Sequence, residues 1–143
     1  MKKIIPLVCI LSFSFYSCGL FLSPFSAQSY QYFIQLKVIH LKFIETFTES
    51  EQNEYDINLI KEYHSIIDLK FREAIEYQQQ VSEDATRLNA FIILREEFDD
   101  NYNELISTSK LFGGVYAKEL IEEVSKNYNL AIKGETLRRN TNE

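Results

Sequence analysis

The chain has 143 residues, of which 45% are hydrophobic and 25% are charged, and this size and composition are typical of one folded domain. Its 21 acidic residues outnumber its 15 Lys and Arg residues, and the net charge of -6 argues against nucleic-acid binding, which needs a basic surface. Four Gly and two Pro exclude collagen-like chains and Gly/Pro-rich disordered chains.

The N-terminus has the features of an export signal. Met1-Lys2-Lys3 is a short basic start, and it is followed by an uncharged, mostly apolar run from Ile4 to Tyr16. A segment of this kind directs a protein out of the cytoplasm. The sequence therefore predicts an exported protein.

The apolar run ends in Phe15-Tyr16-Ser17-Cys18-Gly19, which resembles the lipobox of bacterial lipoprotein signal peptides. Ser17 and Cys18 match that pattern, whereas Phe15 and Tyr16 stand where the family has an aliphatic and a small residue. The resemblance is confined to residues 1–19. It implies that the signal peptide, residues 1–17, is removed and that Cys18 carries a thioether-linked diacylglycerol and usually an acylated amino group. No acidic residue follows Cys18 directly, which by the same resemblance favours the outer membrane over the inner one.

The cysteine count agrees with lipidation at Cys18. Cys9 would leave with the signal peptide, so the mature chain would keep one Cys, and one Cys can form no intramolecular disulfide. Two alternatives remain open. The uncharged stretch from Ile4 to Phe25 is long enough for an uncleaved signal anchor of about 20 residues, and Ser17-Cys18-Gly19 also suits cleavage and simple secretion. All three forms place the domain on the non-cytoplasmic side, after a tether of residues 18–28 that lies at the membrane interface or docks on the domain.

The mature domain is predicted to be all-α, because no Gly or Pro interrupts the chain between Phe25 and Phe112. A first helix is expected from Ser29 to about Glu49. It carries apolar residues around most of its circumference and therefore needs more than one neighbour. A strand is the alternative, since Ile34, Leu36 and Val38 alternate, but the alternation ends at Val38-Ile39.

Residues 57–108 show one heptad-like pattern, beginning after Asp56, a suitable N-cap. This pattern allows either one long coiled-coil-like helix in a dimer or two helices that fold back near Gln80 to Asp84. Ser82-Glu83-Asp84 resembles a helix start. We favour the break for two reasons. The wide apolar face of the first helix needs partners on two sides, and the later faces are widened beyond a two-stranded seam by Ile66, Leu69, Ile75, Ile92 and Ile93. A fold-back would supply those partners within one chain.

The C-terminal part is predicted as a loop from Ser107 to Gly114, a helix from about Val115 to Lys133, and a stop at Gly134. Residues 135–143 then form a polar, frayed tail. The sequence thus predicts a helical domain at residues 29–134, arranged as a bundle of about four antiparallel helices.

Candidate catalytic and metal-binding residues are few. His40 lies on the apolar side of the first helix and is interpreted as a hydrogen-bonded structural residue, and His64 as a solvated one. A di-iron bundle would carry Glu three positions before each His, but those positions are Lys37 and Lys61. The sequence therefore predicts no cofactor.

The acidic run from Arg95 to Glu104 invites comparison with a calcium-binding EF-hand loop. A loop that began at Asp99 would need Gly and Glu at positions occupied by Glu104 and Lys110, so the motif fails. We interpret the run as a solvated helix face that is partly paired with Arg95. No metal site is predicted, and the absence of a Gly-x-Ser-x-Gly elbow leaves no sign of a serine hydrolase.

These observations lead to the hypothesis of a non-enzymatic, lipid-anchored envelope protein that binds another protein or forms a homodimer. Lipoproteins of this size and shape resemble assembly accessories, exclusion factors and immunity proteins. The first alternative is a carrier of a small ligand or lipid, with an apolar cavity among Phe33, Phe43 and Phe47; an enzyme comes third.

Overall fold

The computed structural model describes residues 23–81 and 84–140, which form four α-helices. Helix α1 spans Ala27–Thr46, α2 Ile57–Val81, α3 Ala85–Thr108 and α4 Gly114–Asn140. Helix α1 packs on α2 and α4, α2 packs on α3, and contacts between α3 and α4 complete the ring. The prediction of an all-α bundle of about four helices is confirmed.

Helix α1 buries aromatic and aliphatic side chains against its neighbours. Its N-cap is Ser26, whose side chain accepts a hydrogen bond from the backbone N–H of Ser29 at 3.1 Å. Phe33, Leu36 and Phe43 are 1% exposed or less. The expectation that this helix needs neighbours on more than one side is confirmed.

The break after α2 is also confirmed, and both capping residues come from the predicted positions. The carboxylate of Asp56 accepts hydrogen bonds from the backbone N–H groups of Asn58 and Leu59 at 2.8 and 3.2 Å. The carboxylate of Asp84 caps α3 by accepting from the backbone N–H of Arg87 at 3.0 Å. Ser82 and Glu83 lie outside the described residues.

One of the two reasons for the break was largely wrong, although the break itself is present. Ile66, Leu69, Ile92 and Ile93 are 53%, 47%, 37% and 60% exposed, so the fold-back gives them no buried environment, and only Ile75 packs partly buried against the core. The other reason is confirmed, since α1 packs on both α2 and α4. The core is instead formed by neighbouring residues on the inner faces of α2 and α3, such as Ile67, Phe71, Phe91 and Leu94.

The predicted stop at Gly134 was wrong, and so was the polar tail as far as residue 140. Helix α4 continues through Gly134 to Asn140, and Glu135 and Arg138 are 1% and 7% exposed. A glycine inside a helix costs only about 1 kcal/mol relative to alanine. The ion pairs that Glu135 and Arg138 make offset this cost, as described below; residues 141–143 lie outside the described part.

The two ends of the bundle are built differently. At the end where the described chain begins, which we call the proximal end, α1 and α3 begin and α2 and α4 end. At the distal end, the two loops 47–56 and 109–113 are joined by a short parallel bridge, in which the N–H of Phe112 donates to the carbonyl of Phe47 and the N–H of Glu49 donates to the carbonyl of Phe112, both at 2.8 Å.

Candidate functional site

Four buried charged residues form a cluster at the proximal end, which we call the proximal clamp: Asp84, Arg87, Glu135 and Arg138. Arg87 of α3 and Glu135 of α4 make a bidentate pair, with Nε to Oε1 at 2.6 Å and Nη2 to Oε2 at 3.0 Å. Their side chains are 2% and 1% exposed. A planar guanidinium that meets a carboxylate in this way fixes distance and orientation together.

The remaining two residues balance the charge of this pair. Arg138 donates to Oε1 of Glu135, and its Nη2 lies 2.9 Å from Oδ2 of Asp84. Two cations and two anions therefore share one buried volume, so that each charge removed from water has a counter-charge. The clamp joins the start of α3 to the end of α4.

The clamp also holds the chain segment that leads into α1. Arg87 donates from Nη2 to the carbonyl oxygen of Pro24 at 2.9 Å, and the backbone N–H of Ser26 donates to Oε2 of Glu135 at 3.2 Å. Between these two residues, the Phe25 ring lies 6.1 Å from the ring of Tyr30, measured between centroids. The end of the predicted tether is thus docked on the domain.

Cys18, the predicted lipidation site, lies outside the described residues. It precedes Pro24 by six residues, so any group on Cys18 is connected to the bundle through the segment that the clamp holds.

His40 is a structural residue, as the sequence indicated. It is fully buried, its Nε2 accepts from Nδ2 of Asn101 at 3.0 Å, and its Nδ1 faces the hydroxyl of Tyr128 at 3.4 Å. The edge of its ring meets the ring of Phe98 at 5.2 Å. Burial lowers the pKa of His40 to about 3, so the imidazole is neutral at physiological pH.

His64, interpreted from the sequence as a solvated residue, is only partly exposed. Its side chain is 29% exposed, its Nε2 lies 3.3 Å from Oδ1 of Asp99, and its ring stacks on Tyr102 with the centroids 3.9 Å apart. Arg95 pairs with Asp99 at 3.9 Å, as expected, and more closely with Asp68 of α2 at 2.6 Å. These contacts join α2 to α3.

The acidic run is a solvated face only in part. Asn101 is 6% exposed and points into the core toward His40, so its oxygen is not arranged for a cation. Within residues 23–81 and 84–140, no group of three or more His, Cys, Asp and Glu side chains could hold a metal ion.

The aromatic residues named for a ligand cavity pack against other rings. Phe33 stacks on Phe91 with the centroids 4.1 Å apart, and Phe43 meets Phe47 and Phe98 at 5.1 and 5.2 Å. A carrier that used Phe33, Phe43 and Phe47 would have to separate these rings.

An apolar groove runs between α3 and α4, and we call it the α3–α4 groove. Ile93 and Leu130 stand on its opposite rims and are 60% and 62% exposed, and Ala90 and Ala131 lie between them. Gly134 continues the groove toward the proximal clamp, and a Cβ atom built there would meet nothing within 4 Å. The groove is therefore open beside its most exposed apolar side chains.

Polar bonds join α3 and α4 at the distal end of this groove and beyond it. Asn127 donates to Glu97 at 2.9 Å, and desolvation raises the pKa of that carboxyl group. The hydroxyl of Tyr116 donates to Glu104 at 2.6 Å, and this bond raises the pKa of Tyr116 to about 12. The clamp thus joins α3 to α4 at the proximal end of the groove, and these two bonds join the same helices toward its distal end.

Of the clamp residues, only Asp84 was identified from the sequence, as part of a helix start. Glu135 and Arg138 follow the buried Tyr128 and the partly buried Ala131 by seven residues, and Arg87 precedes the buried Phe91 by four. These spacings place them on the inner faces of their helices. That placement was the available signal.

Comparisons with protein-family models, characterised proteins and solved structures find no match. None of the helices in the described part of the chain is long and apolar enough to cross a membrane.

Proposed function

We propose that this chain is an exported, lipid-anchored protein of the cell envelope that binds another protein and catalyses no reaction. The lipid sits on Cys18 and inserts in the outer membrane, and the helical bundle carries the binding surface. The role is that of an assembly accessory, an exclusion factor or an immunity-type protein.

The observation that carries the binding role is the α3–α4 groove. Ile93 and Leu130 are exposed although the core of the bundle is already filled by other side chains. Exposed apolar side chains that flank a groove are typical of protein-binding sites. The small residues Ala131 and Gly134 leave room for close approach, so the groove suits the apolar face of a helix from the partner.

The anchor is tested by the intact mass and detergent partitioning of the wild type and of Cys18→Ala, expressed in a bacterium with a lipoprotein pathway. The proposal expects cleavage before Cys18 and added acyl chains in the wild type only. A full-length, unmodified membrane protein would indicate a signal anchor, and a cleaved, soluble chain would indicate secretion; either would contradict the lipid anchor.

The binding surface is tested by photo-crosslinking in cells, with the photoreactive residue at Ile93, Leu130 or the control position Gln35, which is exposed on α1. We expect one discrete adduct from the two groove positions and none from Gln35. Leu130→Asp should abolish the adduct formed at position 93. An adduct of twice the chain mass would identify a homodimer, and equal labelling at all three positions would contradict a specific groove.

A further inference from the structure

We propose that the proximal end of the bundle is itself a lipid-contact surface, so that the bundle stands upright on the membrane that carries its anchor. This inference rests on the proposed function and adds the orientation of the domain and the surface that faces the lipid. The proximal end is proposed to contact the layer of the membrane in which phospholipid headgroups meet acyl chains.

The length of the tether limits how far the proximal end can lie from the lipid. Cys18 precedes Pro24 by six residues, and six fully extended residues span at most about 21 Å. Pro24 cannot move away from the bundle without breaking its bond to Arg87. The proximal end is therefore held within about 21 Å of the lipid, whereas α4, with 27 residues, extends about 40 Å along the bundle.

The proximal surface combines exposed apolar side chains with an arginine. Val81 at the end of α2 and Leu137 in the last turn of α4 are 61% and 55% exposed. Arg139, in the same turn as Leu137, is also exposed, and its guanidinium lies 5.8 Å from the centroid of the Phe25 ring. Exposed aliphatic side chains together with an aromatic ring and an arginine are suited to the boundary between headgroups and acyl chains.

The two ends of the bundle also differ in charge. The clamp is neutral as a unit, and Arg139 gives the described proximal end one positive charge, whereas Glu83 and Glu143 of the sequence carry one negative charge each. The two distal loops, 47–56 and 109–113, carry four acidic residues, Glu49, Glu51, Glu54 and Asp56, and one cation, Lys110. An anionic lipid surface therefore repels the distal end more strongly than the proximal one.

The protein contains no Trp, so a single introduced Trp reports its own surroundings. The reporters are Leu137→Trp and Val81→Trp at the proximal end, Leu130→Trp on the side, and Val115→Trp at the distal end. Val115 is the matched control because it is 77% exposed and lies on the same helix as Leu137, about 33 Å away at 1.5 Å per residue. All four positions are exposed, and circular dichroism checks that each variant folds.

Each variant is expressed from the complete sequence, so that the cell can process it. The purified protein is then reconstituted in vesicles of phosphatidylethanolamine and phosphatidylglycerol with brominated acyl chains. We expect Trp at 137 and 81 to shift to shorter wavelength and to lose most of its fluorescence, and Trp at 130 and 115 to be unchanged. Quenching at 130 as well would show a bundle lying on its side and would overturn the upright orientation. Absence of quenching at 137 and 81 would overturn the lipid contact.

The intact mass of each sample separates this inference from the proposed anchor. Acylated protein without quenching at 137 refutes the lipid contact and leaves the anchor standing. Quenching at 137 in protein without acyl chains refutes the lipid anchor and supports the contact, since a signal anchor or a soluble chain would then bring the same end to the lipid.

Discussion

Lowering the pH should destabilise the bundle through His40. The folded state holds the pKa of His40 at about 3, whereas an exposed histidine has a pKa of 6.5. When the pH falls below 6.5, the unfolded chain binds a proton that the folded chain does not bind, so acid favours unfolding until the pH approaches the folded pKa. At about pH 5, which is about 1.5 units below 6.5, the loss is about 2 kcal/mol at 1.36 kcal/mol per unit.

The assay is urea unfolding at about pH 7.5 and about pH 5 for the wild type, His40→Gln and the control His64→Gln. Glutamine stays neutral at both pH values, so His40→Gln should lose about 2 kcal/mol less than the wild type, while His64→Gln should keep the His40 contribution. The ring of His40 can also be followed by NMR in the wild type, which covers the case that His40→Gln folds poorly. Equal losses in the wild type and His40→Gln, or an NMR midpoint near the ordinary value for histidine, would refute the reasoning.

Three further predictions concern stability measured by urea or thermal unfolding. Glu135→Gln should cost about 3–5 kcal/mol because it leaves Arg87 and Arg138 buried without a full counter-charge, whereas Glu73→Gln, in an exposed pair, should cost less than about 1 kcal/mol; similar losses would contradict the importance of burial. Gly134→Ala should stabilise the protein by about 0.5–1 kcal/mol because the new methyl group meets no atom, and a lower melting temperature would mean that this space is occupied. Asp56→Ala should cost about 1 kcal/mol through loss of the α2 cap, and no change would show that the cap does not persist in solution.

Local signals in the sequence were sufficient for the fold class. The spacing of apolar residues identified the helices, and the carboxylates of Asp56 and Asp84 marked where two of them begin, because capping depends only on residues two or three apart. The helix start at Asp84 indicated the fold-back, whereas the apolar spacing alone also allowed one long helix.

The clamp could not be predicted in this way, because Arg87 and Glu135 are 48 residues apart and their pairing depends on how α3 meets α4. A charged residue normally indicates a solvated position, and only its place in the helical turn suggested otherwise. The sequence placed the end of α4 too early for a related reason. A glycine inside a helix costs about 1 kcal/mol, which is less than the stability that the protein loses when a buried ion pair is broken. Apolar residues were also placed wrongly. The pattern puts Ile66 and Ile93 on faces that a fold-back would cover, but both side chains are exposed.

The bonds from the clamp to Pro24 and Ser26 have a mechanical consequence. A tension applied through the N-terminal segment enters the bundle at these two residues and passes through Arg87 into α3 and through Glu135 into α4, as well as along α1. Without the clamp, the same tension would act on the first turn of α1 alone and could unwind that helix from its end. With it, three helices share the load, so the bundle resists extraction of α1 by a pull on its N-terminal end.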